Sequence, residues 1–350
     1  MGILWAILLF SFLILVHELG HFIAAKSFGV QVNEFSLFMG PAILQKKIGE
    51  TVYSLRCIPF GGFCAMEGED EESDNPRAFT RAAWWKRLII LVAGVTMNAI
   101  FGLIMAIALM LPQNYRVLPQ IESMESWSTF GGENGLQSGD RILEIDGQNV
   151  YIYQDISLLL ITNPSDTHDL LVERDGKEVL LKDLSMIKQE VIQEDGTTEK
   201  LYGMNFAVDE LDFGEKLQEG FYISVYNIRS VPLSLKMLFT GAASVKDVSG
   251  PVGIVKTVSD VTSQSSGLIL FLNLMSLGSL LSLNLAVMNL LPIPALDGGR
   301  AVCLIITTVA EKITGKKIDP KYEGYLHGVG MVFLLVLMAL ITFKDIFSLF

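Results

Sequence analysis

Residues 3–25 read ILWAILLFSFLILVHELGHFIAA: an apolar run to Val16, then His17-Glu18-Leu19-Gly20-His21, then four more apolar residues. A helix needs about 20 residues to cross a hydrocarbon core, so this stretch crosses a membrane only if its polar patch lies inside. Ionisable groups at that depth are costly and mark function. Further apolar runs at residues 88–111, 268–291 and 329–343 come close to the same length. With 51% hydrophobic residues and a mean hydropathy of +0.45, the chain is too apolar for an ordinary soluble enzyme. The reading is a multi-pass α-helical membrane protein with four transmembrane helices. Its amino terminus lacks a basic n-region and a small-residue cleavage site, so the first segment is expected to be retained.

Charge gives an orientation. Residues 112–267 carry 24 acidic and 12 basic side chains, which accounts for the whole net charge of −12. Lys26, Lys46, Lys47, Arg56, Arg77, Arg81, Lys86 and Arg87 lie between the first two runs, and Arg300, Lys312, Lys316, Lys317 and Lys321 between the last two. The positive-inside rule makes both loops cytoplasmic, which puts the amino terminus, residues 112–267 and the carboxyl terminus outside. An acidic ectodomain argues against a nucleic-acid partner. Cys57, Cys64 and Cys303 match no zinc knuckle or disulfide framework and read as reduced and non-catalytic.

Residues 32–40 and 51–66 are rich in Val, Phe, Tyr and Ile and broken by Gly40-Pro41, Gly49 and Pro59-Phe60-Gly61-Gly62, the mark of short strands and turns. The apolar turn at residues 58–63 reads either as an ordinary cytoplasmic hairpin or as a β-loop dipping into the membrane, where protein must cover its backbone. Further on, alternating apolar residues precede Asp146-Gly147, as in a strand entering a tight hairpin. A short helix at residues 153–162 and hairpins about Asp175-Gly176 and Asp195-Gly196 complete a small α+β domain. Residues 217–239 read as an amphipathic interfacial helix broken near Pro232. The organisation expected is residues 1–111, first half of a membrane core; 112–210, the extracytoplasmic domain; 211–267, interfacial helix and linker; 268–350, second half of the core.

On a helix, His17 and His21 project to one side, four residues apart, and can share a zinc ion; Glu18 can reach a water beside it. A catalytic zinc site takes three protein ligands. His168 falls in the external domain and His327 opens the fourth run. Asp297 is the better third ligand, because Asn289-Leu290-Leu291-Pro292-Ile293-Pro294-Ala295-Leu296-Asp297-Gly298-Gly299 sets a carboxylate on a Pro-broken segment, and broken backbone at membrane depth implies a polar cavity. Its alternative reading is a helix cap at the cytoplasmic interface.

HELGH near the amino terminus, NLLPIPALDGG near the other end and the insert between them resemble the site-2 protease family, closest to the bacterial regulators of sigma-E protease and their one-PDZ relatives. Phe38-Met39-Gly40-Pro41, Pro59-Phe60-Gly61-Gly62-Phe63, Arg77-Ala78-Phe79 with Trp85-Lys86-Arg87, and Ser249-Gly250-Pro251-Val252-Gly253-Ile254 extend the match. The segment GLQSGDRILEIDG, residues 135–147, resembles bacterial PDZ domains, which implies binding of a peptide carboxyl terminus by strand addition or exclusion of bulk. The family resemblance implies Zn2+ held by His17, His21 and Asp297, Glu18 as base, and a membrane-dipping loop, with Gly61, Gly62 and Phe63, that pairs with unwound substrate. Where the family has Gly-Pro-x-x-Asn, this chain has Gly94-Val95-Thr96-Met97-Asn98. Asn98 is thus expected to contact substrate or oxyanion, without a proline to distort its helix. Asn284 and Asn289 are expected to engage an entering helix, or else to bond neighbouring helices. The function implied is an intramembrane zinc metalloprotease of a bacterial inner membrane, its site toward the cytoplasmic side. Its substrates would be single-span proteins, such as anti-sigma factors, or signal-peptide remnants. A scaffold that kept the fold and lost catalysis is the alternative, but it needs no Glu18. A metal transporter would need more ionisable residues in its spans.

Overall fold

Within a bilayer every backbone N–H and C=O must be paired, which leaves helices or a closed barrel, and the long apolar runs here form helices. The computed structural model describes residues 2–69, 73–192, 197–244, 248–316 and 321–347. In chain order the elements are α1 (Gly2–Ser27), β1 (Val32–Ile48), β2 (Thr51–Met66), α2 (Trp84–Met110), β3 (Tyr115–Met124), β4 (Arg141–Ile145), β5 (Gln148–Asn149), α3 (Tyr153–Thr162), β6 (Thr167–Arg174), β7 (Lys177–Ser185), β8 (Gln189–Ile192), β9 (Thr198–Leu201), β10 (Met204–Glu210), α4 (Phe213–Thr240), α5 (Pro251–Gln264), α6 (Gly267–Leu290), α7 (Asp297–Thr314) and α8 (Lys321–Phe347). Among the described residues four helices are long and apolar enough to cross a membrane: α1, α2, α6 and, from Tyr322, α8. The chain divides into two compact units, Met1–Ala106 with Val245–Phe350, and Ile107–Ser244.

In the first unit small residues bring helices together, as lipid-embedded packing requires. A Cβ on Gly20 of α1 would overlap the Ala93 carbonyl of α2 and lie 2.8 Å from Met97 Cγ. Ser279 and Ser282 of α6 donate to the backbone oxygens of Gly102 and Asn98 in α2, both at 2.8 Å. Asp345 of α8 accepts the Gly253 N–H at 2.8 Å and so ties down the first turn of α5.

The two strands of this unit run longer than the short strands expected, and both are bent. Phe38 (φ 72°) and Gly40 (φ 83°) fold β1, and Gly61 (φ 82°) folds β2. Residues 34–37 lie between two parts of β2, with Phe35 opposite both Cys64 and Tyr53. The hairpin end is pinned by Glu50, which receives Lys26 at 2.6 Å and Arg77 at 2.5 and 2.9 Å. The Arg77 guanidinium, then the Lys26 ammonium, hold the Glu50 carboxyl down at about 2. Ala25, Val32, Phe79, Ile90 and Leu304 close a core around the hairpin base.

The second unit is α+β. Its sheet runs β10-β3-β4-β6-β7 with β5 beside β4, and Ile121, Leu136, Ile142, Ile145, Leu159 and Leu170 fill the core that it shares with α3. Asp146-Gly147 and Asp175-Gly176 both take positive φ, as two-residue hairpin turns demand. β8 and β9 pair antiparallel, and the turn expected at Asp195-Gly196 lies outside the described residues. His168 is 2% exposed and donates Nδ1–H to Asp146 at 2.8 Å, which gives that set-aside histidine a structural place.

Helix α4 departs from the expected break. It continues through Pro232 as one helix. The carbonyl that loses its donor belongs to Ile228, on the exposed face, where water or headgroups can satisfy it. The burial of α4 is inverted: Glu219, Gly220, Ser224 and Asn227 face inward, while Phe213, Phe221, Ile228 and Phe239 face out.

Candidate metal centre

The HELGH turn lies well inside α1, and its helical phase sets His17 and His21 on one side. Their Nε2 atoms are 3.2 Å apart. Asp297 Oδ2 stands 3.0 Å from the first and 3.3 Å from the second. These three are the one group of potential metal ligands brought together among the described residues.

Asp297 arrives by a route that its sequence explains. Pro292 and Pro294 lack the N–H a helix needs, so α6 ends at Leu290 and α7 starts at Asp297. The two glycines that follow let the first turn of α7 press onto the end of α6. A Cβ on Gly298 would lie 2.5 Å from the Leu291 oxygen, and one on Gly299 would lie 3.1 Å from Pro294 Cα. No side-chain cap bond closes the start of α7; the Asp297 carboxylate faces the histidines instead, which disfavours the cap reading.

The donor set fits zinc. Two imidazole nitrogens and a carboxylate oxygen bind it at about 2.0–2.2 Å, and donors around one tetrahedral ion sit about 3.3 Å apart. Asp297 Oδ2 is buried with no aligned hydrogen bond, as an atom reserved for a cation would be. His21 Nδ1 meets the Ile90 carbonyl at 2.8 Å. A carbonyl only accepts, so Nδ1 carries the proton and the Nε2 lone pair faces the site. Gly94 of α2 leaves room for the rings: a Cβ there would overlap His21 Nε2 and lie 2.7 Å from His17 Cε1.

Glu18 is half-buried on the next position of α1 and faces the Cys64 backbone amide of β2. Gly62 stands beside it, with a Cβ there 3.6 Å from Glu18 Cγ. Of the other residues singled out, Gly61 packs on Met39, and the Phe63 ring lies 5.1 Å from the Arg56 guanidinium. Asn98 is 1% exposed, its Nδ2 3.4 Å from His17 Nδ1. Asn284 keeps Oδ1 buried without a partner, and Asn289 is half-buried in the last turn of α6. Sequence reading noted Gly94 only as the start of the Gly94-to-Asn98 motif and passed over Ile90; both act on the histidines from a second helix. No local pattern marks Ile90, whose contribution is a backbone carbonyl.

The sequence profile of peptidase family M50 matches residues 5–337. The chain belongs to that family. A chain of Clostridium acetobutylicum named as a candidate zinc metalloprotease is 36% identical over 348 residues, covering 99% of this chain and 97% of its own. One of Clostridium perfringens, named in the same way, is 36% identical over 354 residues, covering 99% and 98%. The regulator of sigma-W protease RasP of Bacillus subtilis is 28% identical over 428 residues, covering 98% of each. The M50 chain described here is therefore a zinc metalloprotease with membrane-spanning helices and a β domain.

Proposed function

We propose that this M50 protease cuts membrane-anchored substrates within or beside the bilayer, with zinc held by His17, His21 and Asp297. The observation that carries the proposal is the convergence of two Nε2 atoms and Asp297 Oδ2 within 3.3 Å of one another, next to Glu18. Zinc bound there supplies Lewis-acid polarisation of the scissile carbonyl and makes water acidic enough to react near neutral pH.

The chain's own groups do the rest. Glu18 accepts a proton from the attacking water as the new C–O bond forms, then delivers it to the amine nitrogen as the C–N bond breaks. Asn98 orients His17: with its amide oxygen turned toward Nδ1–H it would satisfy a buried oxygen that now has no partner and free Nε2 for the metal. The bent hairpin sets Gly62 and the Cys64 amide beside Glu18. A loop that dips into the membrane there offers backbone groups to an unwound substrate strand. Asn284, with its unpartnered Oδ1, and Asn289 are placed on α6 to compete for the backbone bonds of an entering helix.

Single-span proteins and signal-peptide remnants fit such a site. The Bacillus subtilis relative is named a regulator of sigma-W, and substrates that control a sigma factor, such as anti-sigma factors, are the class carried over to this chain. The positive-inside rule places the amino terminus and the β domain outside a bacterial inner membrane and the site toward the cytoplasm. For the PDZ-like domain, exclusion of bulk is favoured over capture of a carboxyl terminus. In the glycine-rich stretch of residues 131–136 that precedes β4, the Gly132, Gly135 and Leu136 amides already donate to backbone oxygens of residues 136, 132 and 130, which leaves fewer donors for a carboxylate.

The test is reconstitution in liposomes with a single-span substrate lacking an external domain, with cut sites mapped by mass spectrometry. The expected cut lies in the spanning segment and is absent with Glu18→Gln. Cuts confined to soluble flanks, or cleavage by Glu18→Gln, would refute the proposal.

A further inference from the structure

His327 bears on the metal centre without touching it. Between α6 and α7 the chain must turn so that its next residue, Asp297, meets α1. Within that turn Ala295 has φ 79°, a left-handed conformation that side-chain-bearing residues seldom hold unless their surroundings fix it. The fixing group comes from α8. The Ala295 N–H donates to His327 Nδ1 at 2.9 Å. Three residues on, Gly330 brings α8 so close that a Cβ there would lie 2.6 Å from the Pro294 oxygen. The His327 side chain is 12% exposed, and its Nε2 lies 3.8 Å from Glu323 Oε1. The ring is therefore oriented through Nδ1, which acts as the acceptor, and Nε2 faces the acidic side.

We infer that His327 is a positioning residue: by accepting the Ala295 N–H it holds the turn that aims Asp297 at His17 and His21. The inference rests on reading Asp297 as a zinc ligand. A backbone N–H is a demanding donor when buried, and the acceptor offered to it decides which conformation the turn keeps.

The experiment uses full-length protein in detergent. Zinc affinity is measured by chelator competition, and coordination geometry by the visible spectrum of the cobalt(II)-loaded form. His327→Phe removes the acceptor at similar volume. His327→Asn places an amide oxygen near the position of Nδ1. Asp297→Ala tests the underlying reading separately. The expected result is a loss of about tenfold or more in zinc affinity for His327→Phe, the scale of outer-shell changes, with altered cobalt bands and substantial rescue by His327→Asn. Wild-type affinity and spectrum in folded His327→Phe, alongside metal loss in Asp297→Ala, would overturn the role of His327 alone. Metal retained by Asp297→Ala would overturn both. Equal losses in the Phe and Asn variants would also overturn the inference, since the acceptor would then not matter. If His327→Phe does not fold, His327→Gln, whose acceptor falls near Nε2 instead, is expected to show the same loss, and wild-type affinity in it would overturn the inference.

Discussion

The Ile90 carbonyl of α2 accepts a hydrogen bond from His21 Nδ1 at 2.8 Å, and this contact leaves Nε2 as the nitrogen facing Asp297. The metal centre is thus not a property of the HELGH turn alone. A second helix selects the tautomer, and the same helix, one turn later at Gly94, provides the space.

Gly94→Ala should therefore damage the centre from outside the ligand set. The added methyl would overlap His21 Nε2 and crowd His17, while alanine favours the helix itself. Metal analysis should show zinc affinity reduced by about tenfold or more in a protein that still folds. Full occupancy would mean that α2 does not wall the site.

Glu18→Gln should separate chemistry from binding. An amide of the same shape cannot take the water proton, so cleavage should fall by about a hundredfold or more while zinc per chain stays unchanged. Loss of metal together with activity would instead make Glu18 a ligand.

The β domain has its own electrostatic pin. Burial alone would raise the Asp146 carboxyl, but hydrogen bonds from His168, the Asp169 amide and Asn163 outweigh it and hold the carboxyl below its ordinary value. A depressed carboxyl contributes stability that is present above its unfolded value, about pH 3.9, and is lost as pH falls through the folded one. Asp146→Ala should cost about 2 kcal/mol, since it strands the buried His168 Nδ1–H, and should flatten that acid dependence. Hydrogen exchange of β4 and β6 in the full chain, corrected for intrinsic rates, measures both. An unchanged acid response would assign the dependence to other groups.

Orientation is open to labelling. In a background lacking Cys57, Cys64 and Cys303, Lys177→Cys should react with an impermeant thiol reagent applied from outside, and Asp74→Cys should not. Both positions are solvent-exposed, so access depends on the side of the membrane. The reverse pattern would invert the topology.

What the sequence made legible follows from where the information sits. Spacing within one helix pointed to His17, Glu18 and His21, and two prolines before a carboxylate pointed to Asp297; the structure brings His17, His21 and Asp297 together. The four spans were legible because a bilayer demands length and apolarity. Helices α5 and α7 were not, because charged residues such as Lys256, Asp260, Glu311 and Lys312 break their apolar runs. The closeness of Gly94 to two rings and the reach of His327 to Ala295 are relations between distant segments, and no local pattern encodes them. Pro232 misled because the cost of a proline in a helix depends on which face its orphaned carbonyl occupies.

Whether His17, His21 and Asp297 hold zinc can be read from X-ray absorption at the zinc edge of purified full-length protein. The spectrum should show imidazole scattering from two histidines with nitrogen and oxygen donors at about 2.0–2.2 Å and no sulfur near about 2.3 Å, and Asp297→Ala should lose that signature. A sulfur shell, or a spectrum that Asp297→Ala leaves unchanged, would contradict that ligand set.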